Sequence, residues 1–372
     1  MAIRRVAILG AGHGGLAAAA DLTRRGFDVT LHARRRERVA VVREKGGVDA
    51  SGVQEGFVPI ARITDDILEV VDGADLIMLV VPSVAHDFYA EALAPLVRPE
   101  VPILLNPGHT GGGLHFLTAL RRFGCRAPVE VGESVTLTYI CRLSSPTSVE
   151  IYSYTRRLGF AALPGRRIAD LHAKLVPLYP ELTPRSSVLE TGLSNINAIF
   201  HPPGMLMNAG WIEHTNGGFL FYAEAITESV GRVVSAVDAE RMAVAGALGV
   251  PATPFLDIFC AAGLTTEAAR ASGSVARACR ESAPNKTIKS PSSLDHRYVH
   301  EDVGYGLVPF SALGKVAGVP TPVIDAQVTL ASAATGIDYW STGLTLEPMG
   351  LAGLSKEQLL ERVAEGLLRS VA

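Results

Sequence analysis

Short apolar runs alternate with helical patterns through the first half of the chain, and helical periodicity alone fills the second. Val6–Leu9 reads as a buried strand that breaks into a glycine-rich turn and then a small-residue helix over Leu16–Leu22. Further strands are predicted at Phe27–His32, Val58–Ile63 (Pro59 near its start) and Asp75–Val81, which ends at Pro82. A helix over Val84–Leu96, a strand over Val101–Leu105 and a helix around Leu114–Arg121 continue the alternation. Pro128–Val131, Val149–Tyr154 and Ala161–Leu163 supply more strands, interrupted over Glu133–Arg142. Helices follow at Ala169–Leu178, Gly218–Leu248 (closed by Gly249 and Pro251), Val303–Ala317, Pro322–Ala334 and Lys356–Leu368, with a polar loop over Asn285–Asp295. The predicted fold is an α/β domain over residues 1–184, followed by an all-α domain over residues 185–372.

Composition sharpens this picture. The 372 residues are 48% hydrophobic and 19% charged, which suits two domains with sizeable cores and argues against disorder. A net charge of −3 speaks against a nucleic-acid or membrane-surface partner. Cys125, Cys141, Cys260 and Cys279 lie far apart in no C-x-x-C pair, so they read as buried thiols in a reducing compartment. No metal site is expected. The start resembles a signal peptide, but its apolar run is too short and already forms the first strand. No run reaches the roughly 18 apolar residues of a membrane span, so a cytoplasmic location is expected.

Gly10, Gly12 and Gly15 stand in G-x-G-x-x-G spacing, with His13 and Gly14 inside the loop. Strand before and helix after make this a dinucleotide fingerprint, in which the helix N-terminus faces a pyrophosphate. A NAD-type site wants a carboxylate at the end of the second strand, where this chain has His32-Ala33-Arg34-Arg35-Arg36. Arg34 and Arg35 favour a 2′-phosphate and hence NADP(H), with NAD(H) still open. The alternative is that the arginines simply begin the next helix on its solvated face. Val81, Pro82 and Asn106-Pro107-Gly108 follow strand ends and are expected to border the cofactor.

Two stretches in the second half carry candidate chemistry. Asn197 and His201 share a helix face at i, i+4 spacing, and Pro202-Pro203 is expected to stop that helix. That would set the imidazole at a helix C-terminus, where the macrodipole favours its charged form. Asp295–Gly304 is dense in ionisable groups; Asp302 suits an imidazole partner and Arg297 a carboxylate fork. Structural roles, such as helix capping by Asp302, stay open on composition alone. Phe200, Met205, Met207, Trp211, Phe219 and Tyr222 read first as helical core.

The chain resembles the opine dehydrogenases, the octopine and nopaline enzymes, along essentially its whole length. The resemblance rests on Gly10–Gly15, Val81–His86, Asn106–Gly112, Glu133, Thr136-Leu137, Tyr139, Arg142, Asn197–Gly204, Arg297-Tyr298 and Glu301–Val303. It implies a Rossmann domain followed by a helical domain, with substrates bound in the cleft between them. The implied reaction is reductive condensation of an amino acid's amine with a 2-oxo acid, commonly pyruvate. His201 matches the family's catalytic histidine, Asp302 its aspartate partner, Arg297 a carboxylate anchor and Asn197 the asparagine one turn before the histidine. Arg142 is a second candidate grip, with a structural arginine as its alternative. The implied partners are small molecules, and a homodimer stays open. Rival readings are a 2-hydroxy-acid, polyol-phosphate or pantoate-type dehydrogenase and a non-catalytic NADP(H) sensor.

Overall fold

The structure is a computed structural model that describes residues 2–366. It divides into two compact units, residues up to Thr191 with those from Glu361, and residues Gly192–Leu360. The domain boundary expected from the sequence is 184/185.

The first unit holds β1 (Arg5–Leu9), β2 (Asp28–His32), β3 (Gly47–Gly52), β4 (Gly56–Pro59), β5 (Arg62–Thr64), β6 (Leu76–Leu79), β7 (Ile103–Leu105), β8 (Val131–Ser134), β9 (Tyr139–Ser145), β10 (Ser148–Tyr154), β11 (Leu158–Leu163) and β12 (Leu182–Pro184). Eight of them form one sheet in the order β12-β11-β8-β7-β6-β1-β2-β5, which is parallel except where β11 meets β8. Its central strands are apolar on both faces because helices cover both, as the unbroken runs Val6–Leu9 and Leu76–Leu79 require. The order reverses between β1 and β6, so their C-terminal ends open the crevice in which doubly wound sheets take ligands.

The remaining strands make a small second sheet, β4-β3-β10-β9. The single strand expected over Val58–Ile63 is therefore two, divided between the sheets, with Ile60 and Ala61 in the connection. The strand expected over Pro128–Val131 lies later, at β8, and carries Glu133 into the parallel sheet.

Helices build the second unit, with one isolated bridge between Leu220 and Lys289. Its centre is the Glu228–Ala247 helix, capped where the Thr227 hydroxyl accepts from Val230 N. The expected Gly218–Leu248 helix is thus shorter. Phe221–Ala225 is a separate π-turn, parted from that helix by Ile226 and Thr227. A second correction concerns Pro202 and Pro203, which lie inside a helix running Ile196–Leu206. Their rings fit the helical φ, and the cost is the pair of backbone N–H donors that proline lacks. His201 is therefore mid-helix, and the macrodipole argument for its charge does not apply. Of the cysteines, Cys125, Cys141 and Cys279 are buried, while Cys260 is only half-buried. No helix among the described residues is long and apolar enough to cross a membrane. The end of the helix expected over Lys356–Leu368 falls outside the described residues, the helix being described over Lys356–Glu365.

Candidate active site

In the first unit the glycine loop joins β1 to the His13–Arg24 helix. Gly10 sits at φ +120°, and a Cβ there would stand 2.4 Å from Val80 O and 2.7 Å from Val81 Cγ1. A Cβ on Gly15 would stand 1.7 Å from Gly10 O, so helix and strand can meet this closely only through glycine. Gly12 is exposed with open space at its Cβ position, while Gly14 is buried against Leu137 and Val80. His13 lies at the mouth of the loop and accepts from Leu143 N through Nδ1 at 3.0 Å. Val81 is half-buried and Pro82 exposed beside the loop. This cradle, formed by backbone with side chains cut away, fits a dinucleotide pyrophosphate.

The end of β2 has no carboxylate. His32 is buried, and its Nδ1 lies 3.3 Å from the Tyr89 hydroxyl. Burial lowers its pKa and favours the neutral ring. Arg34 and Arg35 follow, both exposed; Arg34 lies 5.3 Å over the Phe88 ring, and Arg35 directly precedes the Arg36–Lys45 helix without a side-chain cap bond. Arg36 pairs with Asp65 at 3.0 Å. Arg38 escaped the sequence reading. Its Nε donates to Ala11 O of the loop at 2.8 Å, and its Nη2 is buried with no hydrogen-bond partner among the described residues. The one available signal was its spacing of a helical turn from Arg34.

Glu133, quoted in the resemblance without a role, lies wholly buried under the loop that follows β7. Oε2 accepts from Gly113 N at 2.8 Å, and Oε1 accepts from the Thr191 hydroxyl. Burial pushes its pKa up to about 7, against the hydrogen bonds from Thr191 and Gly113. Between the ordinary carboxylate value and about 7, the folded protein holds a proton that the unfolded chain has released. Stability therefore falls as pH rises across that window, by about 3 kcal/mol, and levels off above it. In Glu133→Gln this fall should vanish. Urea midpoints for both proteins at pH 5 and pH 8 would check it; equal pH dependence in the two overturns the assignment.

The second unit brings together the residues expected to carry proton chemistry. Gly306 lets the segment after Asp302 approach the Ile196–Leu206 helix, since a Cβ there would meet Ala198 Cβ at 2.4 Å. That approach sets His201 Nδ1 2.7 Å from Asp302 Oδ2, with the residues 6% and 3% exposed. A carboxylate only accepts, so Nδ1 carries the proton and Nε2 is left to exchange one. Asp302 makes no side-chain cap hydrogen bond; it ends the Arg297–Asp302 helix, which runs into a π-turn over Val303–Leu307.

Arg297 is on that helix, held by Glu301 at 2.7 Å yet with 57% of its side chain exposed, so donors remain for a carboxylate. Asn197 is half-buried one turn before His201. Tyr222, read as core, shares a hydrogen bond with His201 Nε2 at 3.2 Å. The Tyr298 ring stacks on the imidazole with centroids 3.6 Å apart. Arg142 belongs to the first unit, exposed on β9 opposite Glu150, and is no buried structural arginine.

The chain is similar to known proteins along most of its length. Residues 184–335 match the family described as NAD/NADP octopine/nopaline dehydrogenase, alpha-helical domain, and residues 6–106 match ketopantoate reductase PanE/ApbA. The opine dehydrogenase of Arthrobacter sp. (strain 1C) is 35% identical over 353 residues, covering 94% of this chain and 96% of that protein. Vitopine synthase of Allorhizobium ampelinum is 27% identical, covering 96% and 98%. An octopine dehydrogenase solved with NADH and agmatine shares the fold at TM-score 0.77 and 19% identity, over 99% of this chain and 100% of that one. A yersinopine dehydrogenase with NADP+ bound aligns at TM-score 0.72 and 16% identity, over 98% of each. The chain belongs to the opine dehydrogenase family, nicotinamide-dependent oxidoreductases acting on CH–NH groups.

Proposed function

We propose that this enzyme condenses the amine of an L-amino acid with a 2-oxo acid, pyruvate foremost, and reduces the product to an N-(carboxyalkyl)amino acid, with NADPH preferred. The buried His201–Asp302 pair beside a carboxylate-ready Arg297 is the observation that carries this reading. Octopine dehydrogenase has been solved with L-arginine and with pyruvate, which supports the substrate classes.

In this reading Arg297 grips a substrate carboxylate in a fork that Glu301 holds in place. Asp302 keeps His201 in one tautomer and offsets its charge while Nε2 moves the proton that helps the oxo oxygen leave as water. Asn197, one turn away, orients a substrate polar group. The chemistry supplied by a bound reduced nicotinamide is hydride for the imine carbon. Gly10, Gly12, His13, Gly14 and Gly15 would receive its pyrophosphate, with Val81 and Pro82 alongside. Arg34 and Arg35, joined by Arg38, would hold a 2′-phosphate, a role supported by the neutral, buried His32 where a carboxylate would select NAD. Arg142, exposed on β9 opposite Glu150, is the second candidate grip for a substrate carboxylate.

The test follows NADPH and NADH absorbance with pyruvate and a mixed L-amino-acid panel, omitting each partner in turn. Oxidation is expected only with both substrates; oxidation without the amine would favour a hydroxy-acid dehydrogenase. Replacing Arg34 and Arg35 with alanine should raise KM for NADPH by about tenfold or more, as lost charge-assisted bonds to a phosphate do, and leave KM for NADH nearly unchanged. Equal losses with both cofactors would make the arginines a solvated face.

A further inference from the structure

The arginines after β2 are not held alike. Arg36 is paired with Asp65 at 3.0 Å, and Arg38 donates to Ala11 O at 2.8 Å. The Arg34 side chain makes neither an ion pair nor a hydrogen bond among the described residues; its guanidinium carbon stands 5.3 Å from the centroid of the Phe88 ring. Phe88 belongs to the His86–Leu93 helix, which follows β6, while Arg34 follows β2. Cation and ring therefore meet from the C-terminal ends of two strands that flank β1, where a doubly wound sheet takes its ligand.

Phe88 is itself anchored. It meets Tyr89 edge to face with centroids 5.1 Å apart, and Tyr89 meets the His32 ring in the same way at 5.6 Å. Tyr89 and His32 are buried, whereas Phe88 is 37% exposed, so its ring is fixed along one side and open at the surface.

We propose that Phe88 sets the preference for a 2′-phosphorylated dinucleotide by seating Arg34 on its ring and so keeping the guanidinium donors for the phosphate. The inference rests on the reading of Arg34 as a 2′-phosphate ligand. A guanidinium is drawn to the negative face of an aromatic ring, and its N–H groups all point outward from its edge. Seating on a ring holds the cation without using those donors, which a carboxylate partner would take up. It also fixes in advance a long side chain that would otherwise lose its rotamer freedom on binding. Phe88 is thus a positioning residue that acts through Arg34. At the end of β2, where a carboxylate would compete for the cation, the structure has buried His32 beside the Tyr89 hydroxyl.

The experiment titrates NADPH and NADH into the wild type and into Phe88→Leu, Phe88→Tyr, Arg34→Ala and the double variant Arg34→Ala/Phe88→Leu, following nicotinamide fluorescence. Binding reads the cofactor site without either substrate. Phe88→Leu keeps the bulk and removes the π face. It should raise Kd for NADPH by about threefold, the scale of an exposed cation–π contact, and lower the NADH-to-NADPH ratio of Kd values by the same factor. Displacement of NADPH by adenosine 2′,5′-bisphosphate should weaken equally. Phe88→Tyr, which keeps the π face, should retain the wild-type ratio. In the Arg34→Ala background Phe88→Leu should change nothing further.

Equal losses with NADPH and NADH in Phe88→Leu, or a loss that persists without Arg34, make Phe88 a plain wall and overturn the proposal. If Arg34→Ala lowers the ratio and Phe88→Leu leaves it at the wild-type value, only the seating role fails and the phosphate reading stands. If Arg34→Ala leaves the ratio unchanged, the reading of Arg34 as a phosphate ligand falls, and the role of Phe88 with it.

Discussion

Replacing His201 with asparagine is expected to lower kcat by about 10²–10⁴-fold, the usual worth of a positioned acid–base group, while leaving cofactor affinity unchanged. Asparagine keeps a polar side chain of similar reach but has no proton to exchange at neutral pH. Cofactor affinity stays because the residues assigned to the dinucleotide belong to the first unit and His201 to the second. Asp302→Asn should cost part of the same factor, since an amide lets the imidazole choose the wrong tautomer. The double variant should be little worse than His201→Asn, because the two residues act as one unit. Steady-state rates with saturating pyruvate and amine, beside fluorescence titration of NADPH, separate these effects. Normal turnover, or losses that multiply, would break the pair apart.

The largest expected effect on stability lies at Arg241, which is fully buried in the Glu228–Ala247 helix. Its Nε and Nη2 donate to Asp238 Oδ1 at 2.9 and 2.6 Å, Nη2 also donates to Thr253 O at 2.6 Å, and Nη1 donates to Leu193 O. Asp238 Oδ2 accepts from Phe255 N at 2.8 Å. Arg241→Met strands a largely buried carboxylate and two carbonyls, and should cost about 3–5 kcal/mol, the range for one broken partner of a buried ion pair. Adding Asp238→Leu should recover part of it by removing the unpaired charge. Urea denaturation followed by tryptophan fluorescence would check this, with both tryptophans, Trp211 and Trp340, in the second unit. A loss below about 1 kcal/mol, the scale of an ordinary surface pair, would mean that Arg241 is solvated. Phe255 stacks on Phe200, the neighbour of His201, so a milder loss of turnover should accompany the loss of stability.

The parallel sheet was legible in the sequence because both of its faces are covered. Val6–Leu9 and Leu76–Leu79 are continuous apolar runs that no amphipathic helix produces. Of the small sheet, β10 was legible as the run Val149–Tyr154, while β4 was not: Gly56–Pro59 is short and its Phe57 exposed, so it shows neither alternation nor apolar continuity. Phe219, Tyr222 and Ile226 stand three and four residues apart in the sequence, so the break before Thr227 left no mark in the pattern. Pro202-Pro203 read as a stop because proline disfavours helix interiors, but burial by the surrounding helices overrode that preference. His201, Asp302 and Arg297 were visible as ionisable groups set in apolar or helical patterns. Tyr222 was not visible: at a core position its ring accounts for the pattern, and only the fold shows where its hydroxyl points.

The π-turn at Val303–Leu307 has a genetic consequence. It places one residue more in a turn than an α-helix would, between the Arg297–Asp302 segment and the Val308–Ala317 helix. Deleting one residue from this stretch would leave a regular helix with every apolar residue retained. Each residue advances a helix by about 100°, so Asp302 and Arg297 would swing by that angle relative to the helix that anchors them. A single-codon deletion here would thus yield a chain that folds and still takes up dinucleotide while its imidazole has lost its carboxylate. Reading-frame-preserving insertions and deletions in this segment should be purged for lost turnover, where a loop of equal length would tolerate them.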